Sequence, residues 1–486
     1  MSSETKIKTH EETKNVSSQD LSRETKIKIE GQTKNVSSQD LSRETKIKTH
    51  EETKNVSCQD LSSETKIKIE GQTKSRSEGN KKRLKVTLIQ MKKTDHPFWD
   101  TQPVAVKTTK YDKCDDSNPF WRKKLNLVMN PNEQTGRIVS CEPEELLQES
   151  LKLPLGFEWI EVEIDALCAF LFDFYVTDPD ANFRMSYSRE TIDWVINPPG
   201  SRKDWQIGVI ESNSKTLVAT IIAIPSLTNV LKVDVPLVHI DFLCIRPSFR
   251  SNNLAPILIK EISRRVAITG ILAATYTAAI ELPHLITTSK CYHRPINMKK
   301  LIDLKFCFQH PKLTMMATLK HYSLPVVKAY QRLRIMNELD AESACELLNS
   351  HLKRYKIHTI FSIEDFKHYF LPRDNVVYSY VVERNDKIVN FASFYAINTI
   401  AVHSKAKDNI VRGAYLYYIV DIDIISNIIN FASELKFDVF NCMDLMSNDK
   451  FIQPCKFIVG TGKSNYYFYN WKCPKVDPSE MAVVIV

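Results

Sequence analysis

The stretch with the most chemical potential is Val238-His239-Ile240-Asp241-Phe242-Leu243-Cys244-Ile245, followed by the polar 246–249 and then Arg250-Ser251-Asn252-Asn253, which open a helix at Leu254-Ala255-Pro256. A buried strand here runs through a short polar loop into a helix N-terminus. The first turn of a helix leaves backbone N–H groups unpaired, and its dipole is positive there. A pyrophosphate fits such a place. Many strand–loop–helix units bind nothing, so these residues alone mark a site without choosing its ligand. A second feature is the apolar end Val483-Val484-Ile485-Val486, which can carry a main-chain carboxylate into a core. On that segment alone, a terminal strand that only packs is the favoured reading. The 11 cysteines show no C-x-x-C spacing and no Cys–His–acid arrangement. They read as reduced, mostly buried thiols of a cytosolic protein. No motif supports a metal, a prosthetic group or nucleotide hydrolysis.

The elements that must position these residues are legible from periodicity. Residues 164–175 read as an apolar helix, and 205–210 and 217–224 as strands joined by Ser212-Asn213-Ser214. Residues 237–245 alternate as a buried strand. Residues 254–266 then place Leu254, Ile257, Leu258, Ile262 and Val266 on one helical face. A strand follows at 271–276. The second half repeats the style, with a helix from Ala341, strands near 376–382 and 388–395, a helix over 424–435, and strands at 437–441 and 466–469. The fold class is α/β or α+β in two comparable halves, joined near 322–327.

Length and composition bound the rest. The chain has 486 residues with 43% hydrophobic and 9% aromatic content, enough for a large core and two or three domains. No apolar run approaches the roughly 20 residues that span a bilayer, so an integral membrane protein is not expected. The start, Met1-Ser2-Ser3-Glu4, lacks the apolar stretch of a secretory signal. The net charge of +8 is modest and mixed in sign. It permits an anionic ligand, or a weak ribosome contact through the tail or through the basic Lys81-Lys82-Arg83, and gives no ground for DNA binding. Residues 1–80 hold a repeat of period 20: Glu-Thr-Lys-Ile-Lys recurs from Glu4, Glu24, Glu44 and Glu64. Each copy offers few aliphatics and no aromatic, too little to offset an ordering cost of about 1–2 kcal/mol per residue. A solvated, disordered tail is expected, followed by halves over 81–325 and 326–486.

Several ordered segments together resemble glycylpeptide N-tetradecanoyltransferases, the N-myristoyltransferase family. They are Phe98-Trp99-Asp100-Thr101-Gln102-Pro103-Val104, Pro154-x-Gly156-Phe157-x-Trp159, Tyr175-Val176-x-Asp178, Phe183-Arg184-x-x-Tyr187-Ser188, Asp241-Phe242-Leu243-Cys244 and Arg250-Ser251-x-x-Leu254-Ala255-Pro256. Tyr276-Thr277-Ala278, His293-Arg294-x-x-Asn297, Phe437-Asp438-Val439-Phe440-Asn441 and Tyr466-Tyr467-x-Tyr469-Asn470-Trp471 follow in the family's order. The resemblance covers roughly residues 97–486. It implies two acetyltransferase-like (GNAT) halves related by pseudo-symmetry, the first holding acyl-CoA and the second much of the peptide groove. It implies transfer of myristate from myristoyl-CoA, the co-substrate, to the N-terminal glycine of proteins or nascent chains in the cytosol.

The resemblance also implies roles. Backbone N–H groups of Phe242 and Leu243 would receive the thioester oxygen, with Asp241 and Thr277 beside the reacting amine. The carboxylate of Val486 would be the base. A glycine ammonium has a pKa of about 7.7–8.0 and a terminal carboxylate about 3.3–3.7, so direct transfer is uphill by roughly 5–6 kcal/mol until burial narrows the gap. Acyl-CoA would be held by His96, Phe98, Trp99, by Phe242 to Ile245 including Cys244, and by Arg250, Ser251, Asn252, Asn253, Leu254, Ala255 and Pro256. The peptide would meet Val176, Asp178, Phe183, Arg184, Tyr187, His293, Tyr395, Gly460 and Gly462.

This chain departs from the family pattern at several of these places. Asn252 and Asn253 stand where basic residues are usual, which predicts weaker CoA binding, and Pro97 replaces a polar residue. Asp241 replaces Asn, Cys291 replaces Tyr, and Thr177 and Pro179 replace acids. Gly460-Thr461-Gly462 replaces Gly-Asp-Gly, which predicts a weaker preference for Lys several positions into the peptide. Two other readings stay open: a non-catalytic binder of acyl-CoA or glycine N-termini with the same fold, and a related acyltransferase with another acyl length or a lysine acceptor.

Overall fold

The computed structural model describes residues 133–486, apart from 179, 310, 326 and 328–331, and before them residues 98–99, 102–104, 126–127 and strand segments between Glu4 and Ile89. The chain divides into two units, residues 1–96 and Pro97–Val486. In the first, seven strand segments pair as one sheet by their backbone. Apart from those segments, the expected solvated tail over 1–80 lies outside the described residues, and so do His96, Pro97 and Pro179.

In the second unit twelve strands form one continuous path. In chain order they are β1 (Phe157–Glu161), β3 (Gln206–Glu211), β4 (Leu217–Val230), β5 (Val233–Ile245), β6 (Ala273–Ala278), β7 (Thr287–Pro295), β8 (Leu333–Ile335), β10 (Val377–Arg384), β11 (Lys387–Ala401), β12 (Ile410–Ile419), β13 (Val439–Met443) and β14 (Ile458–Tyr469). Three short strands lie off that path: β2 (Phe183–Ser186), β9 (Ile357–Ile360) and β15 (Met481–Ala482). The spatial order is β1-β3-β4-β5-β6-β14-β7-β13-β12-β11-β10-β8.

The two halves share one plan. In the first, β3, β4 and β5 are antiparallel neighbours, and β5 pairs parallel with β6 after a crossover through α3 (Leu254–Ala267). In the second, β10, β11 and β12 are antiparallel, and β12 pairs parallel with β13 after a crossover through α6 (Ile425–Glu434). Parallel neighbours need such a crossover, and its helix covers the sheet. The halves also exchange strands. β14 lies between β6 and β7, β2 pairs with β11, and β9 pairs with β4.

Many strands outrun their sequence expectation. β4 continues to Val230 and β11 to Ala401. Pro225 and Ser226 look like a strand end, yet they pair with Val238 and Leu237 of β5. Strands β2, β7 and β12 and the helices α2 (Arg189–Ile196) and α5 (Ile363–Phe370) were not expected from periodicity. Ser188 and Ser362 cap those two helices by accepting from the backbone N–H of Thr191 and Asp365. Among the described residues no helix is long and apolar enough to cross a membrane.

Candidate active site

The strand β5 does not run evenly along β4. Thr220 pairs with Cys244 and Ile222 with Asp241, so Phe242 and Leu243 together face the single residue Ile221. This is a β-bulge, which disrupts the ladder locally and re-aims the extra residue. It forces Phe242 to a φ of 49°, a left-handed value that a Phe adopts only when its surroundings hold it there. Two things hold it. The Thr220 hydroxyl donates to the Phe242 carbonyl at 2.8 Å. The Phe242 ring is fully buried between Tyr175 and Tyr187, each with its centroid 5.6 Å away. Leu243, by contrast, is 39% exposed.

A matching irregularity lies at the corresponding place in the second half, where Ser393 pairs with Tyr418 and Phe394 with Leu416. Tyr417 is the extra residue there, and it packs against Trp194, Phe370 and Tyr395. A cleft is lined by residues of both halves. Its lining includes His239 and Asp241 of β5, Asp365 and Tyr369 of α5, Tyr417 and Tyr418 of β12, and the chain end Val484, Ile485 and Val486. The last strand, β15, pairs parallel with β9, which delivers Val483 into the core and the residues after it into the cleft. The Tyr418 hydroxyl is 3.4 Å from the Val484 N–H, which donates to it.

Asp241 is the charged group nearest the bulge. Its Oδ1 accepts from the Phe242 N–H at 2.7 Å and from the Tyr175 hydroxyl at 3.2 Å, while its Oδ2 is buried without a hydrogen-bond partner. Burial pushes its pKa up to about 6, against the pull of those two donors. Burial pushes His239 down to about 4, so its ring is neutral near pH 7. Thr277 follows Tyr276, which pairs with Ile240, so it stands on the neighbouring strand alongside Asp241. It does not line the cleft that holds Val486.

The loop after β5 winds as a turn of 3-10 helix over Pro247–Asn252, and Asn253 takes a left-handed φ of 54° before α3 begins at Leu254. No side chain caps α3 from Asn253, so its first-turn N–H groups have no side-chain acceptor there. Arg250 donates to the Ile245 carbonyl at 3.2 Å, closing the loop on itself. Cys244 turns its thiol to the Phe174 carbonyl, and burial pushes the thiol up to about 11, which makes it an inert packing group. Ser251 is described by its backbone alone. Phe98 and Trp99 sit beside this helix. Lys260 of α3 lies 5.6 Å from the Phe98 ring, and Trp99 stacks on Tyr276 at 5.5 Å, with Tyr276 stacked in turn on Tyr467.

The residues expected to meet a peptide fall into two clusters and two local braces. Phe183 and His293 both pack on Phe306, and His293 Nδ1 lies 2.7 Å from Asn441 Oδ1. Gly460 stands against this imidazole: a Cβ there would collide with its Nε2. A Cβ on Gly462 would meet only the Cys291 Cβ at 3.6 Å. Tyr395 stacks on Tyr415 at 5.5 Å, and Tyr187 packs on Tyr175 and Phe242. Asp178 accepts from the Phe183 N–H at 2.6 Å, and Arg184 donates to the Phe172 carbonyl at 3.2 Å, so both brace the turn before β2. Val176 is half exposed. The polar cleft residues that sequence reasoning did not single out include His239, Asp365, Tyr369, Tyr417 and Tyr418. The signal available for His239 is its two-residue spacing from Asp241, which puts both side chains on one face of β5.

A bulged strand, a helix after it that no side chain caps from Asn253, and Val484 to Val486 in the adjoining cleft fit an acyl-CoA-dependent N-acyltransferase. Two family profiles match the chain: the N-terminal domain of myristoyl-CoA:protein N-myristoyltransferase over residues 138–291 and its C-terminal domain over 303–484. A glycylpeptide N-tetradecanoyltransferase of Plasmodium falciparum is 36% identical over 405 residues, covering 81% of this chain and 94% of that protein. One from Drosophila melanogaster is 35% identical over 401 residues, covering 80% of each. The crystal structure of the Saccharomyces cerevisiae N-myristoyltransferase with bound myristoyl-CoA superposes with a TM-score of 0.73 at 30% identity, covering 81% of this chain and all of that one. The chain belongs to the N-myristoyltransferase family.

Proposed function

We propose that this protein transfers myristate from myristoyl-CoA to the N-terminal glycine amine of proteins. The observation that carries the reading is the β-bulge at Phe242 and Leu243 beside a cleft that also holds the end of the chain. The CoA phosphates sit at the N-terminus of α3, where the first-turn N–H groups and helix dipole receive them. The thioester oxygen gains charge as the amine attacks, and the main-chain N–H groups of Phe242 and Leu243 take it up. Losing one such donor typically costs about 2.7–4 kcal/mol of transition-state stabilisation. The Val486 carboxylate acts as a base toward the glycine nitrogen, which must shed two protons in becoming an amide. Its side chain matters little, because the reacting group is main chain. Glycine is selected because a side chain on the first residue would meet the wall formed by Thr277 and the acyl carbonyl. The clusters around His293 and Tyr395 form the peptide groove. Nine of the eleven cysteines lie among the described residues, all free and five of them buried, which supports a reducing cytosolic setting, where nascent chains supply glycine termini.

A second reading, a non-catalytic binder of the same partners, is favoured by one observation: the Phe242 N–H already donates to Asp241. The 486-residue chain, incubated with myristoyl-CoA and peptides beginning with Gly or Ala, decides between them. Glycine-dependent CoA release, lost when residues are appended after Val486 while the fold persists, is the expected result. Tight peptide or acyl-CoA binding without release overturns the catalytic reading, and full activity in the extended variant overturns the assignment of the terminal base.

A further inference from the structure

The acylation removes two protons from one nitrogen: glycine enters as –NH3+ and leaves as an amide N–H. The cleft lining carries three carboxylates, those of Asp241, Asp365 and the terminus at Val486, and no Lys or Arg. It therefore suits a cation and offers more than one acceptor. Asp241 differs from Asp365 in lying next to the oxyanion-receiving bulge. One of its oxygens holds the Phe242 N–H, and the other is buried and unpartnered in a side chain more than nine-tenths buried. A buried carboxylate oxygen with no donor is costly unless something arrives to occupy it.

We propose that Asp241 is a proton-operated latch on the oxyanion hole: ionised, it keeps the Phe242 N–H for itself, and on taking a proton at Oδ2 from the glycine nitrogen it yields that N–H to the thioester oxygen. The inference rests on the transferase reading above. Hydrogen bonds to an ionised acceptor are roughly twice as strong as neutral ones, so protonation loosens the grip on Phe242 at the moment the amine becomes nucleophilic. An N–H bond of the ammonium breaks, its electron pair stays on nitrogen, and the proton joins Oδ2. The lone pair attacks the carbonyl carbon, and the π pair moves to the oxygen facing Phe242 and Leu243. A lone pair of that oxygen then re-forms the C=O bond as the C–S bond breaks and the thiolate leaves with its pair. The second nitrogen proton passes to the Val486 carboxylate. Of the two protons now held on carboxylates, one reaches the sulfur and the other is released to solvent.

The groups around Asp241 fit this role. Tyr175 donates to Oδ1 from the end of α1 (Ile164–Phe174), Tyr187 packs beside it, neutral His239 shares its strand face, and Tyr417, Tyr418, Asp365 and the terminus line the same cleft. With Asp241 near 6, proton transfer from an ammonium of about 7.7–8.0 is uphill by about 100-fold rather than 10,000-fold.

Two measurements on the full chain test the latch. The sequence has three Asp-Phe dipeptides, at Asp173, Asp241 and Asp365. Labelling Asp carbonyl with 13C and Phe amide with 15N therefore gives three correlated amide signals, and the one missing in Asp241→Asn is Phe242. In the wild-type protein without substrate, that amide proton is expected to move upfield as pH falls through about 6. The acid limb of log kcat/KM should approach a slope of two in the wild type and one in D241N, with kcat of D241N reduced 10–100-fold at pH 7.5. A Phe242 amide indifferent to pH from 5 to 7.5, or a D241N enzyme with the wild-type limb and kcat, overturns the latch. The amide titration needs no turnover, so it is read independently of whether the chain is a transferase. A wild-type protein with no glycine-dependent transfer sinks the functional reading instead.

Discussion

Glu261→Gln should be among the most damaging single substitutions outside the cleft, and its cost can be worked from its contacts. Glu261 is fully buried on the inner face of α3, the helix whose N-terminus is assigned to the CoA phosphates. Its Oε1 accepts from Arg264 and Arg265, each at 2.7 Å. Its Oε2 accepts from Arg264 Nε and from the Leu151 N–H, each at 3.0 Å. Arg264 is itself only 3% exposed and holds the carbonyls of Leu147 and Gln148. A glutamine keeps the shape but turns two N–H donors toward a guanidinium or a backbone N–H. It leaves the Arg264 charge buried without its counter-ion, which typically costs 3–5 kcal/mol.

Burial works against the Glu261 charge, but the Arg264 and Arg265 hydrogen bonds and the Leu151 N–H outweigh it and hold the carboxyl below its usual range. Its contribution to stability is therefore present above the ordinary glutamate pKa near 4.3 and is lost as pH falls through the lower folded value. Urea unfolding at pH 7 should lose about 3–5 kcal/mol in E261Q. Pairing Glu261→Leu with Arg264→Met, which removes both charges of the pair, should recover part of it. Saturating E261Q with myristoyl-CoA at 100 times Kd should return about 2.7 kcal/mol if the folded protein alone binds it. A loss under 1 kcal/mol, or a charge-free pair no more stable than E261Q, would show that the ion cluster does not anchor α3.

Thr220→Val removes the hydroxyl that braces the Phe242 carbonyl; stability should fall by about 1–3 kcal/mol and kcat should fall more than KM rises, measured by denaturation and steady-state CoA release. Gly460→Ala drives a methyl into His293, which Asn441 holds in place; KM for glycine peptides should rise at least tenfold with acyl-CoA affinity unchanged. Asp241→Asn removes a carboxylate whose folded pKa is raised from 3.8 to about 6. A raised carboxylate weakens the fold as pH climbs between those values, so the stability of D241N relative to wild type should grow by about 1.4 kcal/mol from pH 5.0 to 7.5; a flat difference would contradict the burial argument. Thr461→Asp should strengthen the preference for Lys distal to the peptide's glycine, read from a substrate scan.

The strand over 237–245, within the observed Val233–Ile245, and the helix over 254–266, within Leu254–Ala267, were legible because aliphatic side chains alternate in one and recur at helical spacing in the other. The polar loop between them marked, for the same local reason, a place where an anion would fit, without showing that one binds. The bulge was not legible. Asp241-Phe242-Leu243 alternates like any strand, and nothing in a phenylalanine signals a left-handed backbone. The irregularity exists because Thr220 and Ile222 of the neighbouring strand fix a register with one residue too few, and because two tyrosines from elsewhere enclose the ring. Strand β14 was legible only at its apolar end, over 466–469. Its first half, rich in Gly, Lys, Ser and Asn, is a strand because β7, far earlier in the chain, pairs along it, while β6 pairs only with the apolar end from Asn465 onward. On its own the apolar tail at 483–486 read as packing, since hydrophobic residues say that a segment is buried and not what its last atoms face. What turns it into a candidate base is β15 pairing with β9, which stops the strand short and leaves three residues to reach the cleft beside Asp241. Local pattern therefore located the elements proposed to hold phosphate, whereas the proposed reacting groups are set by register and by long-range pairing. A one-residue slip of β5 against β4 would keep the hydrophobic pattern of each strand nearly intact in sequence terms and would still abolish the site.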